Sequence, residues 1–419
     1  MRSTPIVIVG GGLAGLTAAA TASRAGAPVI VLESSGRLGG RAHSSDHQGF
    51  SLNLGPHGLA TRGPGTAILE RLGIRPTGKS PQPIHTRFLT GGQLVHPLHR
   101  RRGGLGLRGV GQVNRLNRQA RQGDPDGTVN DWLDRTLDDP TAVRLAGAMA
   151  RLGTYADGHD LQAADLAAEG FRGPVRYLDG GWQRLVDELR AVAGSHGVQF
   201  RQGARVVQIG QDRAAGGFCV RLASDREVQA SAVVLAPGGP DDVLNLLPPA
   251  AKATLARQLA GRLPVAMAAL DIALVRRPDV PSLVLGIDEP LYLSVQSDRS
   301  RIAPAGGAVI HLARFLRPGH TAEPGARDQL EGLLDRCAAG WWADVIHARY
   351  LPNITVTHDA CLAATGGRRG RIAVDALGIP GMLLAGDWVG PSGMLAQASI
   401  ASGAHAAELA LQARAGGPT

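Results

Sequence analysis

Gly10, Gly12 and Gly15 follow directly on the apolar run Pro5-Ile6-Val7-Ile8-Val9, and Glu33 stands at the end of a second apolar run, Pro28-Val29-Ile30-Val31-Leu32. Chemically this is a phosphate cradle with a hydroxyl acceptor beside it. Gly10 lets the chain turn sharply off a strand. Gly12 lets the backbone approach a pyrophosphate, and Gly15 lets a helix pack close to the strand. The helix that follows opens with free amides and the positive end of its dipole, both of which attract phosphate. A carboxylate at position 33 accepts the two hydroxyls of a ribose and repels a 2′-phosphate. A GxGxxG alone is a weak signal. With a strand before it, a helix after it and an acid at this distance, it reads as a dinucleotide fingerprint, against the rival reading of a glycine-rich turn in an ordinary α/β protein. It admits NAD or FAD and points to redox chemistry.

The elements that must hold this cradle are legible around it. Ala14 to Ala25 is almost all small residues, apart from Leu16 and Arg24, so it forms a helix that sits tight against a sheet, and Gly26 stops it. Leu185, Val186, Leu189 and Val192 recur at helical spacing after Tyr177-Leu178-Asp179-Gly180-Gly181-Trp182. Val198 to Phe200 and Ala204 to Ile209 read as short strands, and Ala232 to Pro237 as a buried strand that stops at a turn. Pro240-Asp241-Asp242 opens a short helix ending near Pro248. Val265 to Val275 and Ala308 to Leu316 are β-rich. Gly381 to Trp388 reads as a strand and turn before a long small-residue helix from about Leu395 to Ala413. This order predicts an α/β fold with a discontinuous nucleotide-binding domain from residues 1–75, 176–240 and 355–419. Residues 76–175 and 241–354 form the inserted cap.

A chain of 419 residues, 44% hydrophobic and 19% charged, is long enough for two domains with sizeable cores. The net charge is +9, but only Lys79 and Lys252 among the 44 basic residues are lysines, so arginine usage rather than a nucleic-acid partner explains it. The stretch Arg100 to Arg121 carries seven arginines and no acid, and Asp124 to Asp139 is acidic. Two solvated faces that partly offset each other are one reading. A basic rim meeting anionic lipid at a membrane periphery is the other. Cys219, Cys337 and Cys361 are widely spaced, with neither zinc-site nor CxxC spacing. No run has transmembrane length. A cytoplasmic protein without a metal site is expected.

Glu33-Ser34-Ser35-Gly36-Arg37-Leu38-Gly39-Gly40-Arg41 resembles the signature of the flavin amine oxidase, protoporphyrinogen oxidase and phytoene desaturase superfamily. The Gly180-Gly181-Trp182 segment, Val233 to Pro237 and the Ala385-Gly386-Asp387 block with its final helix match as well. The resemblance implies a Rossmann-like FAD-binding domain with an inserted α+β substrate domain. It implies FAD held non-covalently by Gly10, Gly12, Leu13, Ala14, Gly15, Glu33, Arg37 and Gly40. Arg41 would meet the pyrophosphate and Val206 the adenine. Gly386 and Asp387 would bind the ribityl chain or a nearby hydroxyl. Leu395 and Ala396 would open a helix aimed at the flavin pyrimidine, and Gly55, Pro56 and His57 would line the ring. His57 is either a proton acceptor near N5 or a loop-shaping histidine.

Two departures shape the expected reaction. Neither lysine falls in a segment where the amine oxidases place theirs, and Trp388 is the sole aromatic residue from Leu351 onward. The reading is therefore hydride transfer from a substrate carbon to flavin N5, of desaturase or dehydrogenase type, on a fairly apolar small molecule. Tyr155, Tyr292 and Met394 are candidate lining. An amine oxidase, a redox-neutral flavin-dependent isomerase and a non-catalytic FAD-bound assembly partner are the alternatives. Without a second fingerprint, the electron acceptor would be oxygen or a quinone-like molecule.

Overall fold

The computed structural model describes residues 4–96, 107–212 and 216–415. Three four-residue apolar segments and a three-residue one, all buried, build a parallel sheet as continuous hydrophobic runs do, with the short polar strand Gln199–Arg201 at one edge. Its order is Gln199–Arg201, Val29–Leu32, Ile6–Val9, Ala232–Leu235 and Met382–Leu384, all parallel. Strands from three distant stretches of sequence thus lie side by side. The fingerprint strand is central, paired in register with Val29–Leu32 on one side and Ala232–Leu235 on the other.

The first helix, Leu13–Arg24, packs its alanine face against the last, Ala396–Ala415. Small residues permit the approach. A Cβ on Gly403 would lie 2.2 Å from the Ala14 carbonyl oxygen. An antiparallel three-stranded sheet, Val206–Asp212, Gly217–Leu222 and Glu227–Ala230, flanks this layer.

The second layer is a seven-stranded sheet in the order Val345–Thr357, Val265–Leu274, Ala308–Phe315, Leu291–Val295, Leu283–Gly286, Thr86–Thr90 and Gln93–Val95. It is antiparallel except where Leu283–Gly286 meets Thr86–Thr90. Helix Ala326–Cys337 covers one face through Leu330, Leu333 and Leu334. Helices Leu107–Gln122, Val129–Thr136, Pro140–Thr154 and Ala164–Phe171 share a core that includes Leu116, Trp132, Leu133 and Phe171. The strand Val345–Thr357 runs unbroken across the position 354/355, where the sequence reading places a domain boundary. Pairing with Val265–Leu274, interrupted by bulges, continues on both sides of it.

Of the arginine-rich stretch, residues 100–106 lie outside the described residues. The rest belongs to helix Leu107–Gln122, whose Leu116 and Ala120 are buried. The acid that follows, Asp124, pairs with Arg172, Arg368 and Arg369 rather than with that helix. Among the described residues no helix is long and apolar enough to cross a membrane, and no cluster of His, Cys, Asp or Glu could hold a metal ion.

Candidate active site

A cavity of about 860 Å³ runs from the fingerprint to the face of the seven-stranded sheet, within the size range of ligand and cofactor pockets. Gly10, Gly12, Leu13 and Ala14 form its middle wall. The three motif glycines have separate structural reasons. Gly10 has φ +103°, and a Cβ there would sit 2.2 Å from the Ala236 carbonyl oxygen. A Cβ on Gly15 would sit 2.0 Å from the Gly10 carbonyl oxygen, so Gly15 stands behind the wall and closes the turn. A Cβ on Gly12 meets nothing within 4 Å, and its backbone is extended (φ −79°, ψ −174°). The missing side chain at Gly12 therefore leaves room in the cavity rather than inside the protein. No side-chain cap and no first-turn acid claims the opening amides of this helix, which leaves the helix start available to an anion.

Glu33 leans back on this loop. Its Oε2 accepts the Gly11 amide at 2.7 Å and its Oε1 the Ser35 amide at 2.8 Å. The segment beyond it crosses the cradle, with the Gly39 amide donating to the Gly11 carbonyl at 2.8 Å. A Cβ on Gly40 would lie 3.6 Å from Gly12 Cα. At this end Ala204, Arg205 and Val206 line the cavity, held by the Ala204 amide on the Glu33 carbonyl at 2.8 Å. Asp242 and Asn245, from helix Pro240–Leu246, face it.

Arg41 and Asp387 face each other. Arg41 Nη1 lies 3.0 Å from Asp387 Oδ2, and Nη2 lies 3.0 Å from Oδ1. Arg41 Nη1 also donates to the Val356 carbonyl at 2.9 Å. Asp387 takes the His358 amide and Nδ1, each at 3.1 Å. Burial alone would raise the Asp387 pKa, but Arg41 and His358 outweigh it and hold the carboxyl well below the ordinary range. Both of its oxygens are engaged by these groups. Asp387 still lines the cavity, and its carboxylate orients Arg41 and His358 there. His358 was not singled out in the sequence. Its link to Asp387 spans 29 residues and two elements, with no local motif.

Toward the other end Leu54, Pro56, His57 and Gly58 line the cavity, with Gly55 just behind them. His57 is half-buried, and its Nδ1–H donates to the Gly55 carbonyl at 3.1 Å. Its ring meets Trp182 edge-on at 5.0 Å. Burial pushes the His57 pKa down to about 4, so the ring is neutral at neutral pH and a weak base. Tyr155, Met267 and Ile354 complete the apolar end. Leu395 (φ +51°) and Ala396 bring the start of the last helix to the wall.

Three expected contacts fall elsewhere. Tyr292 is buried in the core, its hydroxyl 3.0 Å from that of Tyr177, and it does not line the cavity. Met394 also stands off the wall; its carbonyl accepts the Gln397 amide at the start of the last helix. Arg37 is exposed, on a turn where its amide donates to Ser35 Oγ at 3.2 Å.

Residues 13–270 match the family model of flavin-containing amine oxidoreductases. The chain belongs to that family. Its cofactor is FAD. The open space at Gly12, the unclaimed helix start and the carboxylate at the end of the second strand fit that cofactor. Polyamine oxidase 2 of Arabidopsis thaliana is 40% identical over 76 residues, 17% of this chain and 16% of its own length. A "Probable FAD-dependent oxidoreductase" of Pseudomonas aeruginosa is 29% identical over 245 residues, 58% of this chain and 53% of its own. The chain thus spans between about a sixth and about half the length of these curated relatives. An oxidoreductase from Methanosarcina mazei superposes with a TM-score of 0.73 at 19% identity, covering 97% of this chain and 100% of the other. A redesigned double mutant of putrescine oxidase superposes at 0.72 with 14% identity, covering 97% and 99%. At these identities the likeness is one of fold.

Proposed function

We propose that this chain is an FAD-dependent oxidoreductase that removes hydride from a carbon of a fairly apolar small molecule, in the manner of a desaturase or dehydrogenase. FAD, held non-covalently, supplies the hydride acceptor. The observation that carries the reading is the wall of the cavity beyond His57. Met267, Ile354, Val356 and Leu54 are aliphatic, Tyr155 and Trp182 aromatic, and neither Lys79 nor Lys252 lines it. Such a wall excludes water and favours a substrate without charge.

In this reading the Gly12 backbone and the first helix hold the pyrophosphate, and Glu33 the adenosine ribose. Val206 and its neighbours border the adenine. Arg41 offers positive charge at the middle of the cavity, aimed by Asp387. Pro56 and His57 form the wall beside the ring. His57, neutral and tied to Gly55 through Nδ1–H, shapes that wall. Burial pushes the Tyr155 hydroxyl pKa up, so it stays protonated and can donate a hydrogen bond to a polar atom of the substrate. The absence of a second fingerprint supports oxygen or a quinone-like molecule as the final acceptor.

Amine oxidation is the second reading, favoured by relatives named polyamine oxidases. One experiment separates the two. Purified yellow protein is mixed anaerobically with apolar substrates carrying a saturated carbon–carbon bond and with primary and secondary amines, and the flavin absorbance is followed. Bleaching by the apolar set is the expected result. Rapid bleaching by amines alone, with peroxide released on admitting air, refutes the proposal.

A further inference from the structure

The loop that walls the apolar end of the cavity is held from behind by buried polar groups of the seven-stranded sheet. Asp271, on Val265–Leu274, is fully buried. Its register partners are His311 on one neighbouring strand and Arg349 on the other. Its Oδ1 lies 2.6 Å from His311 Nδ1, and its Oδ2 lies 2.7 Å from Arg349 Nη2. Oδ2 also accepts the Gly55 amide at 3.1 Å. Arg349 Nη2 donates in turn to the Asn53 carbonyl. Two charges from two strands therefore hold the loop on both sides of Leu54. A third tie comes from Gln296, 1% exposed, whose Nε2 donates to the His57 carbonyl at 3.2 Å. Gly55 lies flat on the same strand. It has φ +79°, and a Cβ there would meet Met267 Cε at 2.8 Å.

A carboxylate with no exposure is costly to bury unless its charge is matched and its lone pairs filled. An apolar pair would pack the sheet at less cost. The particular thing this cluster does is fix the backbone of Asn53 to His57. We propose that Asp271 is a positioning residue which, through the Gly55 amide and Arg349, sets the wall of the cavity against the flavin ring. The substrate-side sheet thereby controls the environment of a cofactor bound mainly by the other layer. This inference rests on the assignment of the cavity as the FAD site.

The test compares holo wild type, Asp271→Asn, and the double variant Asp271→Asn with Arg349→Gln, which leaves no buried charge of this pair unmatched. FAD titration into apoprotein is expected to give a Kd within about threefold of wild type for both, because the cradle at Gly12 and Glu33 is distant and independent. The visible circular dichroism of the bound flavin is expected to change, and its rate of reduction by dithionite to shift by about tenfold, as a displaced wall alters the geometry at the ring. Unchanged flavin bands and an unchanged reduction rate in the double variant overturn the inference, even if the melting temperature falls, because the cluster is then only core structure. Should Asp271→Asn alone not fold, the double variant decides by the same two signals. A wild-type chain that takes up no FAD overturns the site assignment, and this inference with it.

Discussion

Gly12→Val separates a glycine kept for a ligand from one kept for the fold. The new Cβ enters space with no protein atom within 4 Å, on extended backbone that a β-branched residue adopts without strain. The cost to the apoprotein is therefore that of an ordinary surface change, within about 0.5 kcal/mol. The cost to FAD is larger. Two isopropyl methyls in the cradle push the pyrophosphate off the helix start. Loss of two amide–phosphate hydrogen bonds, at about 1.5–3 kcal/mol each, totals about 3–6 kcal/mol. That weakens the FAD Kd by about two to four orders of magnitude. Gly15→Ala provides the contrast. Its Cβ would lie 2.0 Å from the Gly10 carbonyl oxygen, so strand and helix must separate and the apoprotein loses about 1–3 kcal/mol. The assay is urea unfolding of both apoproteins with FAD titration by flavin fluorescence quenching. Gly12→Val binding FAD as wild type does, or unfolding as readily as Gly15→Ala, would refute the argument.

Asp387→Asn should weaken the grip on Arg41 and His358. The Arg41 side chain is 36% exposed, so water screens part of the pair and the loss is set at about 2 kcal/mol. Because the folded carboxyl pKa is depressed, the gap from wild type is present above the unfolded value and closes as pH falls below about 4. Urea midpoints from pH 3 to 8 check this, and a gap that widens on acidification contradicts it. His57 titrates at about 4 in the folded chain instead of 6.5. The unfolded chain thus binds the extra proton between these values, and wild-type stability falls as pH drops from 6.5 to 4, by about 3 kcal/mol for this group. His57→Ala should lose that slope and keep FAD, and an unchanged slope rules it out. Gly403→Val should drive the first and last helices apart, because its Cβ would lie 2.2 Å from the Ala14 carbonyl oxygen. The expected loss is about 3 kcal/mol in the urea midpoint, and a variant as stable as wild type refutes that close contact.

Local patterns carried the parts of the fold that local physics decides. The glycine turn, the alanine-rich helix, the short apolar strands and Glu33 all declare themselves within a few residues. The strand expected over Val198 to Phe200 lies one residue on, at Gln199–Arg201, and the last helix begins at Ala396. Contacts made by sheet register were not legible. Asp271 finds His311 and Arg349 across two neighbouring strands, 40 and 78 residues away, and no spacing rule joins them. Nothing local in the sequence marks which way Tyr292, a candidate for the lining, faces. The strand instead turns it toward Tyr177, whose hydroxyl satisfies its own. Asp387 was recognised but its partners were not, because Arg41 lies 346 residues away.

The contact of Gly403 with Ala14, and the place of Met382–Leu384 beside Ala232–Leu235, also set an order of assembly. The cradle glycines and the last strand of the sheet that supports them, Met382–Leu384, are separated by some 370 residues of chain. With that strand undocked, Ala232–Leu235 presents an open strand edge, and the part of the first helix that meets the last helix is uncovered. A ligand that touches both early and late segments stabilises only the closed form. FAD bound across both segments therefore favours the closed layer over any form in which the last strand and helix are undocked.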